Sequence, residues 1–251
     1  MKKISSLRAM AALAGAALLL PAVVSAQETV ALYEFNASDK PPLNSYASTI
    51  TSPLGSVSLV GYPTGDGGYS SSSGGGYFRR NINNLIPESL AAALTTNHFV
   101  GFTFTPGQAV DLGTLTFDFG TSNATSVAGG IVYTGSWAAY TSVGGFDSGD
   151  ELGTGSATQV ALGSNVFTPS WTVGSVDLAS LGTVSAPVEV RIYFWDDNAT
   201  ASSNLQVRMD DITLTASAAA IPEPSTYALL GGVLALGAVA LRRRRAAVAQ
   251  A

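Results

Sequence analysis

Short runs of alternating apolar and polar residues, separated by Gly, Pro, Asn and Ser, make up most of this 251-residue chain. The clearest run is Val188–Trp195, whose even positions are Val, Ile and Phe and whose odd positions are Glu, Arg, Tyr and Trp. A period of two is typical of a β-strand that buries one face. Comparable patterns predict strands at Thr29–Asn36, Phe99–Thr105, Leu112–Phe119, Ile131–Thr134, Thr158–Leu162, Ser170–Leu178, Val188–Trp195 and Leu205–Thr215.

The last predicted strand contains an irregularity. Its apolar residues occupy odd positions up to Met209 and even positions from Ile212 onward. A regular strand cannot bury both sets on one face. A β-bulge near Asp210-Asp211 would resolve the conflict, and so would burial of both faces.

Helical periodicity is scarce between the chain ends. Pro87–Thr95 is the one segment there that predicts a short helix, with Pro87 in its first turn. Gly61–Gly76 is a loop rich in Gly and Ser. About ten short strands without a helical layer predict an all-β fold. The architecture that we expect is an antiparallel β-sandwich of the jelly-roll type.

The N-terminal segment departs from this pattern. Lys2, Lys3 and Arg8 precede an apolar stretch, Ala9–Leu20, which is followed by a small-residue site that ends at Ala26. This order predicts a signal helix within a signal peptide, residues 1–26, and Gln27 as the first mature residue. The ectodomain is expected to span residues 27–218.

The C-terminal segment contains a second apolar stretch, Tyr227–Leu241, with fifteen residues and no charge. As a helix it would measure about 22 Å, against about 30 Å for the hydrocarbon core of a bilayer. We therefore predict a single, short transmembrane helix at 227–241, after a linker at 219–226. The arginines that follow favour a basic cytoplasmic tail at 242–251.

The order Pro-Glu-Pro-Ser-Thr, apolar helix and arginine cluster resembles the PEP-CTERM sorting signal of Gram-negative bacteria. The resemblance implies processing by an exosortase near the Pro-Glu-Pro motif. It also implies an inner-membrane intermediate and final delivery to the cell surface, the outer membrane or the extracellular matrix. The sorting residues are Pro222, Glu223, Pro224, Arg242, Arg243, Arg244 and Arg245.

The charge of the ectodomain is masked by the two terminal segments. Seven of the twelve basic residues lie outside residues 27–221, whereas only one of the seventeen acidic residues does. The ectodomain therefore has five basic and sixteen acidic residues, a net charge near −11, which argues against nucleic acid as a partner. The chain has no cysteine and one histidine, which excludes thiolate chemistry and a multi-histidine zinc site.

The run Met209-Asp-Asp-Ile-Thr-Leu resembles the final strand of carbohydrate-binding and discoidin-like jelly rolls. In such domains a structural calcium ion often joins the first strand to the last. The resemblance therefore implies a Ca²⁺ site formed by Glu34, Asp39 and Asp211, with Asp210 as an alternate ligand. Solvated acids that cap turns are the competing interpretation, and no cofactor is predicted with certainty.

Aromatic residues provide a second set of candidates. Trp171, Tyr193 and Trp195 are predicted to stack on sugar rings if their side chains are exposed. Tyr193 and Trp195 share the strand face opposite the aliphatic stripe. They would form either a sugar platform or a second core layer.

We predict no catalytic residue. His98 has no neighbouring serine nucleophile motif and is expected to cap the entry to the strand at Phe99. The leading hypothesis is a non-enzymatic protein with a structural or adhesive role in exopolysaccharide. The first alternative is a carbohydrate-binding module with a structural calcium ion. The second is a glycoside hydrolase with carboxylates that the sequence does not identify, since the side chains of the adjacent pairs Asp196-Asp197 and Asp210-Asp211 point to opposite faces of a regular strand.

Overall fold

The computed structural model describes residues 26–34, 48–60, 78–81, 87–123, 132–160, 170–196, 205–220 and 224–249. The chain divides into two compact units, one of which is the ectodomain, Ala26–Ala219. The described part of the other unit is chiefly a C-terminal helix. The predicted signal helix lies outside the described residues.

Antiparallel strands build the ectodomain. They are β1 (Glu28–Tyr33), β2 (Gly55–Val60), β3 (Phe78–Asn81), β4 (Phe99–Pro106), β5 (Val110–Asn123), β6 (Val132–Thr141), β7 (Gly153–Val160), β8 (Ser170–Asp177), β9 (Thr183–Val184), β10 (Val188–Asp196) and β11 (Leu205–Ala218).

Within the described residues, these strands form a six-stranded and a five-stranded sheet. The six-stranded sheet has the order β1-β11-β5-β8, with β3 paired to β11 and β9 paired to β5. The five-stranded sheet has the order β2-β4-β10-β6-β7. The chain changes sheets between β4 and β5 and again between β5 and β6, a crossing pattern that jelly rolls share. The predicted all-β sandwich is confirmed.

The main core lies between the two sheets. Phe102 and Phe104 from β4 meet Phe117 and Phe119 from β5 in one buried cluster. Trp137 of β6 packs edge-on against Phe117, with ring centroids 4.9 Å apart. Each large apolar side chain buried in this way stabilises the fold by about 1.5–3 kcal/mol, so a core of this size needs no disulfide bond.

The irregularity in β11 is a β-bulge. The pairing of β11 with β5 shifts register between Asp210 and Thr213, and Asp211 has a left-handed φ of 48°. Met209 before the shift and Ile212 after it are both buried in the main core. The bulge predicted from the change of parity is therefore confirmed.

Strand lengths differ from prediction where both faces are covered. Residues 132–134 of the predicted strand Ile131–Thr134 begin a longer β6, in which the residues from Gly135 to Thr141 are buried on both faces, and Ile131 lies outside the described residues. Burial on two faces removes the polar alternation that marks a strand in sequence. The short strands β2, β3 and β9 also lie outside the predicted set.

One short helix covers part of the five-stranded sheet. Helix α1 (Leu90–Thr96) begins after Ser89, whose Oγ accepts a hydrogen bond from the Ala92 N–H at 3.3 Å. It ends at Asn97, which has a left-handed φ of 56°. The helix predicted at 87–95 is thus present, but it begins later because Ser89 is the N-cap.

Helix α2 spans Pro224–Ala249 and includes the arginines at positions 242–245. Among the residues that the structure describes, no helix is both long enough and apolar enough to cross a bilayer. The transmembrane helix predicted at 227–241 is not shown; its residues lie within the longer helix α2.

Candidate functional site

The outer face of the six-stranded sheet exposes two large apolar side chains of β8. Trp171 is 37% exposed and Val173 is 74% exposed. Val176, of the opposite parity, is buried in the main core. Because side chains alternate along a strand, Trp171 and Val173 point away from the core.

Two carboxylates share this face with Val173. The register pairs Val173 with Asp118 of β5 and Asp118 with Asp210 of β11. Residues directly opposite each other lie on the same side of a sheet, and neighbouring strands are about 4.8 Å apart. Asp118 and Asp210 are therefore adjacent, and Trp171 is the diagonal neighbour of Asp118. We call Trp171, Val173, Asp118 and Asp210 the outer-face site.

Both carboxylates of this site have raised pKa values, chiefly because they are partly buried. Burial, together with the smaller effect of the charges of Asp211, Asp118 and Glu34, raises the pKa of Asp210 to about 7. A hydrogen bond from the Asp211 N–H to Asp210 Oδ1, 2.9 Å long, acts in the opposite direction. Burial and the charge of Asp211 also raise the pKa of Asp118. Near neutral pH, Asp210 can therefore both donate and accept hydrogen bonds.

The predicted calcium ligands are partly brought together. Glu34, which follows β1, is close enough to act on the charge of Asp210, and so is Asp211. Asp39 lies outside the described residues. No group of three or more His, Asp or Glu side chains in the described ranges is arranged to hold a metal ion. Calcium binding thus stays a prediction.

Sequence reasoning missed Asp118 as a member of the acidic group. The residue lies in the run Leu115-Thr-Phe-Asp-Phe, where it occupies a position of polar parity. That pattern indicates an outward side chain. It does not indicate that Asp210, which lies about ninety residues later in β11, pairs with Asp118.

Tyr193 lies on the outer face of the other sheet, beneath α1. It is 1% exposed, and its ring centroid is 5.2 Å from that of Phe99 and 5.4 Å from that of Tyr140. Trp195 is half-buried against the same cluster. These residues form the second core layer, which corrects the assignment of Tyr193 as a sugar-binding residue.

The Arg191 side chain packs against two aromatic rings of this second core layer. Its guanidinium carbon lies 4.5 Å from the ring centroid of Phe99 and 3.9 Å from that of Phe146. Arg191 Nε donates to Glu189 Oε1 at 2.7 Å, and Nη1 donates to the Tyr193 hydroxyl at 3.3 Å. The stacked guanidinium holds the loop that carries Phe146 against the sheet, which is a structural role.

His98 has a structural environment as well. Its backbone N–H donates to the Ala93 carbonyl at 2.9 Å and thereby closes the end of α1. Its Nδ1 lies 2.6 Å from Thr96 Oγ1. His98 is expected from the sequence to cap the entry to the strand at Phe99; in the structure its backbone N–H closes the end of the helix that precedes this strand. The Asp196 backbone N–H is bonded to the Pro87 carbonyl, and Asp197 lies outside the described residues.

Several solved structures are similar to the ectodomain. The K3 cleaved adhesin domain of Lys-gingipain from Porphyromonas gingivalis W83 has 13% identity and a TM-score of 0.34, covering 74% of this chain and 98% of that one. TmCBM27, a carbohydrate-binding module with specific mannan recognition, has 10% identity and a TM-score of 0.35, covering 76% and 98%. The CBM22-2 xylan-binding domain from Paenibacillus barcinonensis has 12% identity and a TM-score of 0.32, covering 74% and 98%.

No curated protein matches the sequence significantly. The family model of the PEP-CTERM protein-sorting motif matches residues 220–245. This span includes all the residues that carried the resemblance, from Pro222 to Arg245. The chain therefore carries a PEP-CTERM sorting motif at its C-terminal end, as the sequence predicts.

Proposed function

We propose that this chain is an exported, non-enzymatic protein of the cell surface or extracellular matrix, and that its β-sandwich binds polysaccharide through the outer-face site. Export is implied by the sorting motif at residues 220–245. The binding part of the proposal rests on one observation, the exposed Trp171 on the sheet face that it shares with its diagonal neighbour Asp118 and, one strand further, with Asp210.

The chemistry of the outer-face site suits a sugar chain. An exposed indole offers a flat apolar surface with a polar edge, which matches the apolar face of a pyranose ring. Asp118 is its diagonal neighbour and Asp210 lies one strand further, and both carboxylates can bond to sugar hydroxyls. Because the ectodomain has a net charge near −11, we expect a neutral or cationic polysaccharide rather than an anionic one.

The test is retention of the ectodomain, residues 27–219, on immobilised neutral, amino-sugar and anionic polysaccharides. We expect Trp171→Ala to reduce retention at least tenfold, which corresponds to about 1.4 kcal/mol. Val143→Ala removes an exposed apolar side chain from the loop between β6 and β7 of the five-stranded sheet and serves as the matched control. Trp195→Ala perturbs the outer face of the other sheet.

Three results would contradict parts of the proposal. Absence of retention on every polysaccharide would exclude sugar binding. Loss of retention in Trp195→Ala alone would move the site to the five-stranded sheet. Release of soluble sugar from the retained polysaccharide would favour the hydrolase alternative, with Asp118 and Asp210 as the acid and base.

The sorting step has a separate proposal. We infer that an exosortase cleaves the chain near Pro222-Glu223-Pro224 and that the ectodomain then leaves the inner membrane. The matching sorting motif supports this step. The proposed cleavage leaves an ectodomain without the four arginines, so the surface form is strongly acidic.

A further inference from the structure

Gln27 lies at the exposed start of the ectodomain, one residue before β1. Its side chain extends along the sheet toward β11, where Thr215 Oγ1 donates to Gln27 Oε1 at 3.5 Å. Gly113 of β5 lies beneath the amide. A Cβ atom at Gly113 would lie 2.5 Å from Gln27 Nε2 and 2.7 Å from Cδ. Because Gly113 has no side chain, it leaves a space that the Gln27 amide fills. We call this space, bordered by Gly113 and Thr215, the seat.

We propose that Gln27 is converted to pyroglutamate after export, and that the resulting lactam occupies the seat formed by Gly113 and Thr215. The inference rests on the export that the proposed function includes, because the signal cleavage after Ala26 that the sequence predicts must first release the α-amine of Gln27. Ala26 and Gln27 are both exposed, so the bond between them is accessible.

The reaction needs no cofactor, oxidant or reductant. The α-nitrogen attacks Cδ of its own side chain, the new C–N bond closes a five-membered ring, and the bond from Cδ to Nε2 breaks. Nε2 leaves as ammonia and takes a proton from the α-amine. The Oε1 carbonyl stays in the product, where it remains an acceptor for the hydroxyl of Thr215 if the ring lies in the seat.

The fold accommodates the ring without loss of strand pairing. The recorded register of β1 on β11 begins with Glu28 opposite Ala216, so residue 27 contributes no pair that ring closure removes. Thr215 Oγ1 is itself held in place, because it accepts from the Thr114 N–H at 2.8 Å. Its oxygen is therefore positioned before the ring forms, and its one proton is shared between Gln27 Oε1 at 3.5 Å and the Thr114 carbonyl at 3.3 Å.

Mass spectrometry of the exported protein tests the modification. A protease that cuts before Asp39 releases residues 27–38, and we expect this peptide to be lighter than its encoded mass by one ammonia. In Gln27→Asn the same closure would need a strained four-membered ring, so that peptide should keep its amine.

A peptide that begins at an unmodified Gln27 would overturn the proposal and leave the export step intact. A different first residue would overturn both the cleavage site and the cyclisation, while sugar retention through Trp171 is measured independently.

Digestion with pyroglutamyl aminopeptidase tests whether the lactam occupies the seat. We expect the folded protein to resist the enzyme and the isolated 27–38 peptide to be trimmed. Gly113→Ala should make the folded protein at least tenfold more susceptible, because its Cβ displaces the ring. Thr215→Val, which keeps the side-chain shape, should have a smaller effect, and melting curves check that both variants fold. If the enzyme trims the folded protein and the free peptide equally, the lactam does not occupy the seat.

Discussion

At the scale of single residues, the outer-face site combines groups whose properties depend on their neighbours. Asp210 has an ordinary side chain in a half-buried position with three acidic neighbours, and its pKa rises to about 7. Trp171 is a large aromatic residue of a type that is usually buried, and here it is exposed. Neither property follows from residue type, because both depend on what packs on the outside of the sheet.

Asp210 makes stability depend on pH. Its pKa is near 3.9 in the unfolded chain and about 7 in the folded one, so the folded state binds the proton more tightly. The protonated form therefore contributes stability that is complete below about pH 3.9 and is lost as the pH rises through about 7. We expect the ectodomain to be about 1–2 kcal/mol more stable at pH 5 than at pH 8, after solvent screening is allowed for.

Urea unfolding at both pH values measures this difference. Asp210→Asn should flatten the dependence between pH 5 and pH 8, because the amide does not ionise. Asp177→Asn changes a carboxylate elsewhere in the ectodomain and is the control. An unchanged pH profile in Asp210→Asn would contradict the assignment.

Calcium binding is a separate prediction at the same scale. A divalent ion near Glu34, Asp210 and Asp211 would relieve their mutual repulsion. We expect millimolar Ca²⁺ to raise the melting temperature at pH 8 by several degrees relative to a chelator, and the rise to vanish in Asp211→Asn. A melting temperature that is equal in calcium and in chelator would remove the site.

At the scale of elements, β11 shows how a local irregularity serves the whole sheet. The bulge at Asp211 lets Met209 and Ile212 face the same core, although they have opposite parity. It also brings Asp210 and Asp211 to the acidic face. The sequence predicted the bulge because apolar parity is a local signal, and it gave no sign of the partner strands.

The left-handed backbone of Asp211 provides a test of the bulge. Asp and Asn tolerate a positive φ, whereas β-branched residues in this region are strained by about 1–2 kcal/mol. We expect Asp211→Val to lower the free energy of unfolding by about that amount relative to Asp211→Asn, since both variants remove the same charge. Equal stabilities would show that the residue is not held in this conformation.

At the scale of the whole molecule, the two units carry different information. The C-terminal unit contains the sorting motif, and the ectodomain contains the proposed binding face. The terminal segments also hold most of the positive charge. Removal of both segments therefore changes the charge of the protein as well as its location.

Replacing Pro222, Glu223 and Pro224 together with alanine should block processing. We expect nearly all of this variant to keep its C-terminal helix, including Arg242–Arg245, because the recognised sequence is lost. The intact mass of the protein measures this, and Thr226→Ser is the control. Normal processing of the triple variant would show that these residues are not the recognition element.

The sequence by itself determined the strand-forming pattern, the bulge in β11, the acidity of the ectodomain and the sorting motif. Each of these is encoded in neighbouring residues or in composition. The tertiary structure decided which strand faces are covered: helix α1 buries Tyr193, whereas Trp171 keeps an exposed face. It also decided that Asp118 meets Asp210 and that Gln27 meets Gly113. A period of two distinguishes the two faces of a strand, but only the packing of distant strands determines what each face contacts.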